Sequence, residues 1–191
     1  MRKSSFAPGS ARYAALVLGL MATALFTLWM MGRVAVCGCG MVKFWGPLSA
    51  AETSQHFTDW YSLSHLIHGF LFFGGLWLVF RRLSIGARLA AAVAIEAAWE
   101  IFEKTSLIIE RYRNATMSLD YFGDSIVNSA GDLLSMILGF AIASRLPPWM
   151  TVVLGLAMEL LAGAVIRDNL SLNIIMLIWP LEFIKHWQMS G

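Results

Sequence analysis

The sequence predicts an all-α integral membrane protein, a single helical bundle with about six transmembrane helices, on three observations. Of its 191 residues, 58% are hydrophobic and 14% charged, with a mean hydropathy of +0.67, against about 45–50% apolar and about 25% charged in soluble domains. The apolar residues gather in runs near the ~20 residues that a helical crossing needs. Lipid offers no partner to an unpaired backbone amide, so such runs must be helices.

The spans are expected near 13–31, 62–80, 87–103, 124–143, 149–166 and 170–187 of one domain, 1–191, with no internal repeat. The first follows a basic MRKSSF and runs into MMGRVAVC without a small-residue cleavage signal, so it reads as an uncut helix and not a signal peptide. Pro147 and Pro148 make a tight turn between the fourth and fifth. The last segment holds Pro180 and Glu182, and reads as a span, a half-helix or a surface segment.

Lys and Arg in the short loops set the orientation. With a cytoplasmic N-terminus, that side collects Arg2, Lys3, Arg12, Arg81, Arg82, Arg88, Arg145 and Lys185. Arg33, Lys43, Lys104, Arg111, Arg113 and Arg167 lie opposite. The loops 32–61 and 104–123 are then outside, in the periplasm of a bacterium with two membranes. A net charge of +2, with basic residues spread along the chain, excludes nucleic acid as a partner. Two cysteines exclude a disulfide scaffold. No nucleophile elbow, phosphate-cradling glycine loop or dinucleotide fingerprint occurs, and a chain of this size without a repeat is small for a secondary transporter. Its oligomeric state is not written in the sequence.

The polar residues inside the spans carry the functional argument. In IEAAWEIFE, Glu96, Glu100 and Glu103 fall within a ~60° arc of one helix face. Asp124, Asn128 and Asp132, four residues apart, make a second stripe, and His65 and His68 in SLSHLIHGF a third. Glu159 lies between Gly155 and Gly163, small residues that admit a neighbouring helix. These motifs converge on the outer half of the bundle, with Glu96, Asp132 and Glu159 nearer its midplane. An ionised acid there costs ~2.5–3.5 kcal/mol or more, and repulsion adds to it. Either some acids hold protons or a cation is present.

On the second reading the cofactor is one divalent metal ion, with His65, His68, Glu100 and Asp124 as its candidate ligands; on the first the sequence names no cofactor. Oxygen donors suit magnesium, manganese or calcium, and the imidazoles move the choice toward zinc, manganese or iron. The chain has E100xxE103 and no ExxH, which sets it apart from the di-iron carboxylate bundles. Glu96, Asp132 and Glu159 are the candidate catalytic acids. Competing structural roles are open to each: the histidines as a packing pair, Glu100 paired with Arg111 or Arg113, and Asp168 with Arg167. Cys37 and Cys39 read as a redox pair, since a disulfide across one residue is strained, as thiolate ligands together with His56, or as small residues of a glycine-rich turn. Before the second span, SQHFTDWYSLSH offers either an interface belt or a polar lid, with Tyr61 against a lipid headgroup. Arg111 and Arg113 in RYRNAT suit a phosphate, and Asn128 completes the candidate substrate-binding set.

The motifs GRVAVCGCGMVKFW, SQHFTDWYSLSHLIHGFLF, IEAAWEIFE, RYRNAT, GDSIVNS and IRDNLSLNIIML resemble, in order and spacing from about residue 31 to the C-terminus, a family of small bacterial inner-membrane proteins classified as a domain of unknown function. The resemblance implies a multi-spanning protein of the inner membrane and implies no activity. Its pattern has a residue like Asn where this chain has Lys104, so it assigns that side chain no role. A looser similarity to VanZ-like membrane proteins is one of fold only. Two functions stand at this point. One is an enzyme of the outer leaflet acting on a lipid or lipid-linked phosphate, its metal held by the four ligands and Glu96 or Asp132 acting as general base. The other is a non-catalytic binding, proton-handling or assembly protein whose buried acids are structural.

Overall fold

The computed structural model describes residues 10–47, 49, 52–116 and 120–190. It contains eight helices among the described residues: α1 (Ser10–Met30), α2 (Ser62–Val79), α3 (Ile85–Glu103), α4 (Ser106–Ala115), α5 (Ile126–Ala143), α6 (Pro148–Ile166), α7 (Leu170–Ile178) and α8 (Glu182–Met189). Arg2 and Lys3, two of the residues expected on the cytoplasmic side, lie outside the described residues.

Local chemistry sets the boundaries. Ser84 caps α3 by accepting the Ala87 amide, and Ser125 caps α5 by accepting that of Asn128, each satisfying a donor that the first helical turn leaves free. Pro148 opens α6, where a missing N–H is harmless. Arg167, in the left-handed conformation with φ 53°, closes it.

Four helices are long and apolar enough to cross a membrane: α1 from Ala11, α2, α5 and α6. The third expected span, α3, has the length, at 19 residues, but carries Arg88, Glu96, Glu100 and Glu103. The sixth is not one continuous helix. It divides into α7, 9 residues long, and α8, 8 residues long, on either side of Trp179–Leu181. At 1.5 Å per residue α7 reaches only about 13 Å, under half of a ~30 Å hydrocarbon layer. Pro180 supplies no amide to continue the helix. Lys185 also sits at the end opposite to the one expected, where its Nζ donates to the Asn114 carbonyl (2.7 Å). Within the loop 104–123, α4 forms and packs on α7.

The bundle is organised by a close α2–α5 pair and a parallel stack of α1 on α3. Gly69 and Gly139 allow the first: a Cβ on Gly69 would stand 2.2 Å from the Met136 carbonyl oxygen, and one on Gly139 would stand 2.1 Å from that of Leu66. Alanines do the same for α3, where Ala90, Ala92 and Ala97 are buried among residues of α1 and α5. The loop before α2 lies across the start of α5. Ser125 donates its amide to the Ser54 carbonyl (3.0 Å) and Asn128 its side-chain amide to that of His56 (2.8 Å), while a Cβ on Gly131 would meet the Phe57 oxygen at 1.7 Å.

Because backbone, not a flexible side chain, occupies the space beside Gly69, Gly69→Ala should lower stability by ~1–3 kcal/mol or more. Gly75→Ala, with nothing within 4 Å of its Cβ, should stay within about 0.5 kcal/mol of the parent. Thermal melts in detergent compare the two.

Candidate functional site

The three-residue step from His65 to His68 puts both imidazoles on the α2 face that meets α3. There Glu96 receives them: His65 Nδ1 lies 2.5 Å from its Oε1, and His68 Nδ1 lies 3.1 Å from each of its oxygens. The rings stack edge to face, 5.2 Å apart. His65 is shared further. Its Nδ1 is 3.6 Å from Glu100 Oε1, and its Nε2 is 3.8 Å from Asp132 Oδ2 on α5. Glu96 and Glu100 are fully buried, and Glu100 Oε1 has no hydrogen-bond partner. Asp132 is steadied at its other oxygen by Ser62 Oγ (2.8 Å), which accepts in turn from the Asp59 amide (3.1 Å). Asp59 accepts the amides of Ser54 and Tyr61, so the loop before α2 is wired to α5 through one hydroxyl.

A second centre begins at Lys104. Its buried ammonium lies 3.0 Å from Glu100 Oε2, 2.8 Å from Glu103 Oε2 and 2.5 Å from Asp124 Oδ2. Burial alone would lower its pKa, but the three carboxylates outweigh that and hold it well above the ordinary lysine value. The free oxygens of two of these acids are met by phenols: Tyr112 donates to Glu103 (2.9 Å) and Tyr121 to Asp124 (2.8 Å). Burial first, and then the adjacent carboxylates, push both phenols well above the usual tyrosine range. Both centres open on a cavity of about 390 Å³. His65, His68, Glu96, Glu103, Asp124 and Asp132 are among its polar lining residues, and Leu71, Phe72, Ile95, Trp99 and Ile174 among its apolar ones.

Of the expected site residues, the structure thus brings together His65, His68, Glu96, Glu100 and Asp132, with Asp124 one step away across Lys104. The proposed four-ligand set changes accordingly: Glu96 is the acid against both imidazoles, and Asp124 is taken by Lys104. Glu159 is elsewhere, where its carboxylate caps α7 by accepting the amides of Leu170 and Ser171 (3.0 Å each), an anion at a helix N-terminus. Arg111 does not face the cavity, since its Nε donates to the Leu177 carbonyl (3.0 Å). Arg113 donates to that of Tyr121 (2.5 Å). Glu100 pairs with neither arginine. Asn128 holds the loop, as described, and Tyr61 lines the cavity while donating to Asp168 (3.2 Å). Cys37 and Cys39 form a disulfide, near Glu52 and the buried His56. Sequence reasoning missed Lys104, Tyr112 and Tyr121. The Glu100–Lys104 spacing of four was a readable signal, but Lys104 was placed only as a charge beyond the helix end.

Residues 28–190 match the family model described as protein of unknown function (DUF2585). The chain is 51% identical over 184 residues to a UPF0314 protein of Paracoccus denitrificans, covering 96% of this chain and 95% of that one. It is 52% identical over 175 residues to a UPF0314 protein of Brucella anthropi, covering 92% and 89%. With the UPF0314 protein Atu8092 of Agrobacterium fabrum the identity is 49% over 180 residues, covering 94% and 91%. No solved structure matches.

Among the described residues no cation pairs with Asp168, which lies beside α7. Arg167 turns away to donate to the Trp187 carbonyl (2.9 Å), and Asp168 instead accepts from Tyr61, Asn169, Asn173 and Gln188. Burial pushes its carboxyl up to about 6, against the lowering effect of those donors. A folded pKa above the ~3.9 of an exposed Asp means that the folded chain binds this proton more tightly. The resulting stability is full below pH ~3.9 and is lost as pH rises through about 6. Between about pH 5 and pH 7 that loss is about 1 kcal/mol, and Asp168→Asn should remove it. Melting temperatures of the two proteins at both pH values give the difference.

Proposed function

Because the chain belongs to the DUF2585 family, whose description assigns no activity, its chemistry has to come from its own side chains, and on them we propose a metal-dependent enzyme of the inner membrane acting on a lipid or lipid-linked phosphate. The observation that carries this is a pair of triads that share His65: His65, His68 and Glu96 offer ligand atoms within 4.8 Å of one another, and so do His65, Glu100 and Asp132, with the Glu100 Oε1 atom buried and without a hydrogen-bond partner. With neutral imidazoles, a Glu96 carboxylate accepts from the Nδ1 of each. A divalent cation held by His65, His68 and Glu96 would take the place of those protons, and one held by His65, Glu100 and Asp132 would give the orphan oxygen a partner. Asp132, facing the second nitrogen of His65, supplies the outer carboxylate that orients a ligating histidine. It also lines the cavity, and is the acid left to take a proton from an attacking water. The bound ion would polarise a phosphoryl oxygen and lower the pKa of water, and the mixed nitrogen and oxygen donors favour zinc, manganese or iron.

Five crossings, α1, α2, α3, α5 and α6, follow from enclosing the charged face of α3 among its neighbours, with α4, α7 and α8 at the outer surface. The end holding the turns 80–84 and 144–147 carries Arg81, Arg82, Arg88 and Arg145. All 12 Asp and Glu residues lie in the other half of the bundle or in the loops beyond it. This supports a cytoplasmic N-terminus. The cavity mouth supports a substrate from the bilayer: Leu71, Ile95 and Ile174 line it and are 45–58% exposed, whereas Glu96, Asp124 and Asp132 are buried. The non-catalytic reading draws on Lys104, which neutralises part of the acidic centre without any ion.

Metal analysis of protein purified without chelators should find about one equivalent of a divalent transition metal, and His68→Ala should weaken its binding by ~10–100-fold in a protein that still melts cooperatively. Wild type that takes up neither zinc nor manganese on titration would contradict the proposal.

A further inference from the structure

Among the described residues that line the cavity there is no lysine or arginine, while four carboxylates line it: Glu96, Glu103, Asp124 and Asp132. An anionic headgroup alone would enter a repelling field, strong because the site is shielded from water. A phosphate is admitted at the His65–His68–Glu96 end only with a metal, so what remains to be identified is the group that suits the other end. There Glu103 and Asp124 line the wall beside the rings of Tyr112 and Tyr121, which pack edge to face at 5.4 Å. Each of these carboxylates takes one bond from Lys104 and one from a tyrosine. A carboxylate offers about four lone-pair sites, so both retain acceptor capacity toward the cavity. Acids beside aromatic faces form the environment that binds an ammonium group.

We propose that the cavity selects an amphiphile with a zwitterionic headgroup, whose ammonium lies at Glu103, Asp124, Tyr112 and Tyr121 while its phosphate lies toward His65, His68 and Glu96. The placement of the phosphate rests on the metal reading above; that of the ammonium does not. Glu96 and Glu103 are seven residues apart on one face of α3, about 10 Å along its axis, a span suited to a phosphate and an amine joined by a short spacer, each with its own partner. Acyl chains leave past Leu71, Ile95 and Ile174, the exposed apolar residues of the mouth.

The test is binding of short-chain lipids to the purified metal-loaded protein, followed by mass spectrometry of the intact complexes. Phosphatidylethanolamine and phosphatidylcholine should bind at least about tenfold tighter than phosphatidylglycerol. Glu103→Gln, and separately Asp124→Asn, should reduce that preference to about twofold or less in proteins that still melt cooperatively. His68→Ala should weaken all three lipids alike and leave the preference intact. If His68→Ala leaves every affinity unchanged, the phosphate arm and the metal reading fail while the ammonium site stands. Equal or tighter binding of phosphatidylglycerol, or no lipid binding, overturns the ammonium site whatever the metal does. Free phosphoethanolamine should bind far more weakly than the lipid; equal affinity would overturn a lipid source.

Discussion

Lys104 holds one positive charge among three carboxylates, two from the end of α3 and one from the segment before α5, and the rest of the site depends on that arrangement. Its side chain is buried, with Glu100 and Glu103 reaching it from the end of α3 and Asp124 from the segment before α5. Without it the outer end of the bundle would bring several negative charges together away from water, where repulsion and desolvation act in the same direction. With it, Glu100 is fixed by one oxygen, and its other oxygen is left facing His65. The cation therefore does more than balance charge, because it decides which carboxylate oxygens remain for the imidazoles and the cavity.

Backbone packing makes this placement possible. The Gly69 and Gly139 contacts press α2 against α5, which brings His65 within 3.8 Å of Asp132. The Ser62 hydroxyl then joins the loop before α2 to the same aspartate. A dry, closely packed pair of helices on one side and a roomy cavity on the other give the two histidines one rigid support and one open face. The acids follow the same division: all of them lie toward the end opposite Arg81, Arg82, Arg88 and Arg145.

Much of this was legible in the sequence, for identifiable reasons. Helices follow from the need of backbone amides in lipid for internal partners, and the shared face of Glu96, Glu100 and Glu103 follows from helical periodicity. Partner choice was not legible. Periodicity gives the face of a side chain and not the depth of its neighbour: Glu100 meets His65 as expected, but Asp124 meets Lys104, and it is Glu96 that meets both imidazoles. Glu159 shows the same limit: an acid flanked by glycines in an apolar helix reads as a buried functional group, but the amides of α7 reach it because the chain reverses at Arg167. Arg111 and Arg113 suit a phosphate by residue type, but the sequence does not show that each donates its Nε to a backbone carbonyl, of Leu177 and of Tyr121. The 170–187 segment was apolar enough to be read as a span until the break at Trp179–Leu181 divided it.

The family description gives no reaction against which to judge the site, so the arrangement of charges is the property to measure first. A double-mutant cycle between Lys104 and Asp124 reads it directly through thermal stability. Lys104→Met should destabilise the protein by roughly 3–5 kcal/mol, the consequence of leaving buried charge uncompensated. Adding Asp124→Asn should restore part of that loss. A Lys104→Met protein within about 0.5 kcal/mol of wild type, or two losses that simply add, would contradict the account.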